Sequence, residues 1–91
     1  MKIAITGSSS NFGKSLSSFL KTKNCKIISI NKENNFFLEQ AEKYKFKDKK
    51  IDILIHLAHS YTRKGYDVNY KGTINLFKNA KQQKIKKLIF V

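Results

Sequence analysis

The feature that most narrows what this chain can fold into lies at its start. Lys2-Ile3-Ala4-Ile5-Thr6 is a short β-rich run that ends abruptly in the polar loop Gly7 to Asn11. Phe12, Leu16, Phe19 and Leu20 then fall at i, i+4, i+7 and i+8, the apolar stripe of one helix, which Lys21 to Asn24 closes. A strand that runs through such a loop straight into a helix sets the unpaired N–H groups and positive dipole end of that helix beside the strand's end. That place suits a phosphate group. Gly7 permits the tight turn, and Gly13 lets the helix pack close to the strand. Ser10 stands where a middle glycine would let backbone approach a phosphate most nearly; serine is the smallest polar replacement and can donate a hydrogen bond. The plain alternative is an ordinary strand-to-helix turn.

The rest of the chain repeats the alternation of apolar run and helical pattern. Lys26 to Ile30 reads as a second strand. Asn35-Phe36-Phe37-Leu38 reads as a very short third strand and Glu39 to Lys47 as a helix, with Asp48-Lys49-Lys50 turning the chain. Ile51 to Ala58 is nearly continuous in apolar residues, as expected of a parallel strand covered on both faces. His59 to Gly65 is a loop. From about Tyr66 to Gln83 a helix carries Tyr66, Tyr70, Ile74 and Phe77 on one face and Val68, Gly72, Leu76 and Ala80 on another. Leu88 to Val91 begins a last strand. Right-handed crossovers make this order a parallel α/β sheet with helices on both faces. Five strands in the order 3-2-1-4-5 are expected, with ligands at the carboxyl ends near the switch between the first and fourth.

Four blocks, in order, resemble the extended short-chain dehydrogenase/reductase family, also called the NAD-dependent epimerase/dehydratase family. Thr6-Gly7 to Gly13 resembles its TGxxGxxG loop, with serine at the middle glycine. Asp52-Ile53-Leu54-Ile55-His56-Leu57-Ala58 resembles its D-V-V-I-H-L-A strand. Asn69-Tyr70-Lys71-Gly72-Thr73-Ile74-Asn75-Leu76 resembles its N-V-x-G-T-x-N-L helix, and Lys86 to Val91 its fifth strand. The resemblance covers most of the chain and implies a Rossmann-type, NAD- or NADP-binding domain over residues 1–91, truncated after the fifth strand. It implies a cofactor site built from Gly7, Ser10, Asn11, Phe12 and Gly13, from Asn31 and Lys32 after the second strand, from Leu57, Ala58 and His59 after the fourth, and from Asn69. The segment from Lys32 to Asp52 and the loop from His59 to Asn69 are shorter than the family's usual ones.

Two of these positions also carry a reading of their own. A dinucleotide fold commonly places an acidic residue after the second strand to bond the ribose hydroxyls. Neutral Asn31 and positive Lys32 remove repulsion of a 2′-phosphate and favour NADP over NAD; a turn asparagine beside a surface lysine is the alternative. Asn69 reads equally as a helix-interior asparagine bonding a neighbouring loop. His56, inside a buried strand, reads as a packed, hydrogen-bonded histidine rather than a catalyst.

The family's acid–base group is a tyrosine followed four residues later by lysine. Here the tyrosines are followed at that position by Asp48, Gly65, Tyr70 and Ile74. No catalytic residue is therefore assigned, and the isolated chain is expected to show no turnover. It reads as the cofactor-binding part of a nucleotide-sugar epimerase, dehydratase or reductase, partnered by a complementary C-terminal half or by a further copy of itself. A non-catalytic nucleotide sensor or polyanion-binding module is the alternative.

The net charge of +13 fits that picture as lysine bias rather than a nucleic-acid surface, since Arg63 is the sole arginine. The lone Cys25, the lack of a leader-like start and the lack of any membrane-length apolar run lead to an expected cytoplasmic, membrane-free location.

Overall fold

The computed structural model describes residues 1–48, 50–59 and 65–91, with the backbone alone at residues 65 and 66. Its elements are β1 (Lys2–Thr6), α1 (Asn11–Lys21), β2 (Lys26–Ile30), β3 (Ile53–His56), α2 (Gly65–Gln82) and β4 (Lys87–Phe90). The strands form one all-parallel sheet in the order β2-β1-β3-β4. Ile3 sits in register with Ile27 on one side and Ile53 on the other, and Ile53 with Lys87.

Strand alternation sorts the core onto two faces. Ile3, Ile5 and Ile55 point to the side where Leu16 and Leu20 of α1 lie. Ala4, Ile30 and Leu54 point to the other, where they meet Leu76 and Ala80 of α2 together with Phe36, Leu38 and Ala41. β1, central and covered twice, is buried from Ile3 through Thr6. Helices on both faces and the parallel sheet are as the sequence implied.

The expected five-strand order is corrected: the strand at 35–38 is not formed. Asn31 caps a short 3-10 turn at Lys32–Asn34, and Asn35 leaves it in the left-handed region at φ 64°. A second 3-10 turn, Leu38–Lys43, is broken at Gln40 and replaces the helix expected over 39–47. The cause is a set of distant side chains. Asn79 Nδ2 donates to the carbonyls of Ala41 (2.9 Å) and Tyr44 (2.6 Å). Gln83, one turn on, donates to Tyr44 O (3.2 Å) and accepts from Phe46 N–H (3.1 Å). These amides, at and just past the end of α2, take backbone groups that a helix or a strand ladder would otherwise pair. Gly72 permits the contact, since a Cβ there would stand 2.7 Å from Leu38 Cδ1 and 2.8 Å from Leu38 O.

Candidate nucleotide-binding cleft

β1 ends in Thr6, and its hydroxyl organises the carboxyl end of the sheet. Thr6 Oγ1 accepts from the amides of Leu57 (3.0 Å) and Ala58 (3.1 Å). With both lone pairs used, its proton goes to His56 Nδ1 at 2.6 Å. His56 Nε2 therefore carries the ring proton and donates to Thr73 Oγ1 of α2 at 3.0 Å. Burial, and secondarily the nearby His59, pushes the His56 pKa down to about 4, which keeps this tautomer neutral. His56 is thus a packed histidine joining two strands to α2, with Phe77 and Phe90 against its ring. Sequence reasoning passed over Thr6 and Thr73. No local signal marks them: the register that sets Thr6 beside His56 exists only in the folded sheet.

Gly7 follows with φ 70°, and a Cβ on it would lie 2.8 Å from Ala58 N and 2.9 Å from Leu57 C. Both constraints demand glycine. A Cβ on Gly13 would lie 2.5 Å from Gly7 O, so this glycine seats the first turn of α1 on the loop's own backbone rather than on the strand. Ser10 is the N-cap of α1: its hydroxyl accepts from Gly13 N–H (3.0 Å) and donates to Gly7 O (2.8 Å). The donor the sequence offered to a phosphate is therefore spent inside the loop. The first-turn amides of Asn11 and Phe12 have no intrahelical partner by geometry. The Phe12 side chain is 57% exposed.

A cleft of about 690 Å³ opens at the carboxyl ends of the strands. Gly7 and Ser10 form one wall, Asn31 and Lys32 a second, and Leu57, Ala58 and His59 the floor. Ser9, Glu33, Phe36, Leu38 and Glu39 complete it, none of which the sequence singled out. Phe36 and Leu38 enter because the 3-10 path of this segment folds back over the sheet, an outcome that depends on α2. Glu33 and Glu39 set negative charge against Lys32. Asn31 Oδ1 accepts from Asn34 N–H at 3.2 Å, which ties its side-chain oxygen to the turn. Asn69 does not line the cleft; its Nδ2 donates to His59 Nε2 at 3.0 Å and braces the exposed imidazole from behind.

The cleft has the volume of a small-molecule site, with Gly7 in its lining and the N-cap of α1, Ser10, at one wall. A nicotinamide dinucleotide fits that donor set. No helix among the described residues is long and apolar enough to cross a membrane.

Comparison with known protein families finds no match, and neither does comparison with curated protein sequences. Solved structures do match, over nearly the whole chain, and they are extended short-chain dehydrogenase/reductase proteins matched in their N-terminal part. A GDP-L-fucose synthetase from Naegleria fowleri bound to NADP is 22% identical, with a TM-score of 0.79, over 98% of this chain and 29% of that one. A short-chain dehydrogenase/reductase superfamily protein from Agrobacterium tumefaciens with bound NAD is 18% identical, with a TM-score of 0.77, over 99% and 32%. A dTDP-4-dehydrorhamnose reductase from Clostridium acetobutylicum is 26% identical, with a TM-score of 0.70, over 96% and 34%. The chain thus spans about a third of the length of these structures.

Proposed function

We propose that this chain is the cofactor-binding part of an NAD(P)-dependent oxidoreductase of the extended short-chain dehydrogenase/reductase family, acting on nucleotide sugars. The observation that carries the reading is the cleft, in which the loop after β1, the turn after β2 and the exit from β3 converge on one space. The likeness to a GDP-L-fucose synthetase and a dTDP-4-dehydrorhamnose reductase supports the substrate class.

The first-turn amides of Asn11 and Phe12 receive the pyrophosphate. Gly7 and Gly13 keep that wall free of side chains, and the Ser10 cap holds the loop in shape. Asn31 and Lys32 meet the adenosine ribose, and Leu57, Ala58 and His59 support the middle of the cofactor, with Thr6 fixing their backbone. The bound cofactor supplies hydride transfer; these residues bind and orient it. The 91-residue chain turns nothing over, because no Tyr-x-x-x-Lys pair is present to move the proton.

Calorimetric titration of the purified chain with NADP and NAD tests the reading. Both bind, Gly13→Val abolishes binding, and Lys32→Glu weakens NADP about fivefold more than NAD, a difference of about 1 kcal/mol. Unchanged affinity in Gly13→Val removes the loop as the site. Equal losses for the two cofactors in Lys32→Glu remove Lys32 as the discriminator.

A further inference from the structure

Among the described residues no part of α2 lines the cleft. Three positions on one face of that helix nevertheless bear on residues that do, at the i, i+3 and i+4 spacing that stacks side chains along a helix. Asn69 Nδ2 bonds His59 Nε2 at 3.0 Å. Gly72 lies against Leu38. Thr73 Oγ1 accepts from His56 Nε2 at 3.0 Å. The first two contacts end on a lining residue, whereas the third begins a chain of hydrogen bonds that runs through the sheet to the cleft floor.

That chain has a direction. A neutral imidazole donates at one nitrogen and accepts at the other. By accepting at Nε2, Thr73 leaves Nδ1 as the acceptor for the Thr6 hydroxyl proton, 2.6 Å away. Thr6 Oγ1 then keeps both lone pairs for the successive amides of Leu57 (3.0 Å) and Ala58 (3.1 Å). The opposite tautomer would set an N–H on Nδ1 against the same oxygen. Three donors would then meet two lone pairs, and one of the two amides would be released. His56 is 1% exposed, so bulk water does not replace a lost partner. The peptide between Leu57 and Ala58 is also the backbone against which Gly7 is seated, with the place of a Gly7 Cβ only 2.8 Å from Ala58 N. A shift of that peptide moves the floor and the glycine turn together.

We propose that Thr73 is a positioning residue of the dinucleotide site. It acts through His56 and Thr6 on the backbone of Leu57 and Ala58, so that the seat of α2 on the sheet sets the affinity of a cleft the helix does not line. The inference rests on the reading of the cleft as a dinucleotide site. It adds to that reading a residue outside the lining and a route by which movement of α2 regulates binding.

The test compares the full chain with Thr73→Val, which keeps the shape and loses the acceptor, and with Thr73→Ser, which restores it. Calorimetric titration with NADP at neutral pH gives the affinity, heteronuclear NMR gives the His56 tautomer from its ring-nitrogen shifts, and urea denaturation gives the stability. Thr73→Val is expected to bind NADP about tenfold more weakly, the worth of about one hydrogen bond, and to show His56 in mixed tautomers. Thr73→Ser is expected to stay within about twofold of the wild type, with the Nε2-protonated ring. If Thr73→Val does not fold, Thr73→Ala takes its place. In the wild type, saturation with NADP is expected to shift the His56 ring nitrogens together with the Leu57 and Ala58 amides, and unmoved ring nitrogens overturn the proposal. Lower stability in Thr73→Val with intact NADP affinity makes Thr73 a packing residue only and overturns it too. So does an equal loss of affinity in Thr73→Ser, or weaker binding with an unchanged tautomer. A wild-type chain that binds neither NADP nor NAD is a different failure: it removes the dinucleotide reading itself, and this proposal with it.

Discussion

The two faces of the sheet are closed to different degrees. On the α2 side ten buried residues form one cluster that reaches from Ala4 across Leu54 to Leu76 and Ala80, with Phe36, Leu38 and Ala41 folded over it. On the α1 side the buried cluster among the described residues is Ile3, Ile5 and Ile55. The difference lies in what covers them. A single helix of 11 residues spans β1 and β2, whereas the opposite face is covered by an 18-residue helix and by the 3-10 segment it holds in place. Among the described residues the chain therefore carries most of its packing on the side away from α1.

The sharpest probe of that contrast is a matched pair of truncations. Leu76→Ala empties a fully buried site on the closed face and should cost about 3–4 kcal/mol, close to the whole stability of a domain this small. Leu16→Ala, at a half-buried site on the open face, should cost about 1–1.5 kcal/mol. Urea denaturation of both variants measures the ratio, and equal costs would mean that the two faces are equally closed.

Acid should act through the closed face next. The folded His56 pKa of about 4 lies below the unfolded value of about 6.5, so the unfolded chain takes up the proton first. Stability from this group is complete above about pH 6.5 and is lost as the pH falls toward 4, by about 3 kcal/mol in all. Protonation would also leave Nδ1 unable to accept from Thr6. His56→Gln should flatten the loss when thermal unfolding is followed from pH 7 to pH 4. An unchanged slope would move the acid sensitivity elsewhere.

The smallest effect belongs to the open face. Ser17 Oγ in α1 is buried with no hydrogen-bond partner among the described residues. Ser17→Ala removes that unsatisfied hydroxyl, improves helix propensity and should raise stability by about 1 kcal/mol, read as a higher melting temperature. A fall would show that Ser17 packs more tightly than its neighbours on this face.

Much of the architecture was legible in the residues. β1 and β2 fall at the expected Lys2–Thr6 and Lys26–Ile30, α1 begins one residue before the apolar stripe, and α2 runs within a residue of its expected limits. β3 is shorter than the apolar run that announced it, ending at His56, because Leu57 and Ala58 turn to meet Thr6. Gly7, Ser10, Asn31, Lys32, Leu57, Ala58 and His59, each expected at one site from the sequence, line one cleft. Local signals sufficed there, because a two- or 3.6-residue apolar period and a glycine between strand and helix are written over a few consecutive residues.

What the sequence by itself determined, then, is the alternation of strands and helices and the glycine loop that turns one into the next. Only the tertiary structure decided the path of residues 31–50, the role of Ser10 and the hub at Thr6. In each case the deciding partner is out of reach of a local pattern. Asn79 and Gln83 pull on Ala41, Tyr44 and Phe46 across 35 to 39 residues of chain. Thr6 saturates its hydroxyl on groups 50 to 52 residues away. Ser10 spends its hydroxyl on Gly7 O and Gly13 N only because the backbone has already curled to bring them within 3.0 Å. A buried polar group takes whichever partner the fold presents, and that choice is made in space rather than along the chain.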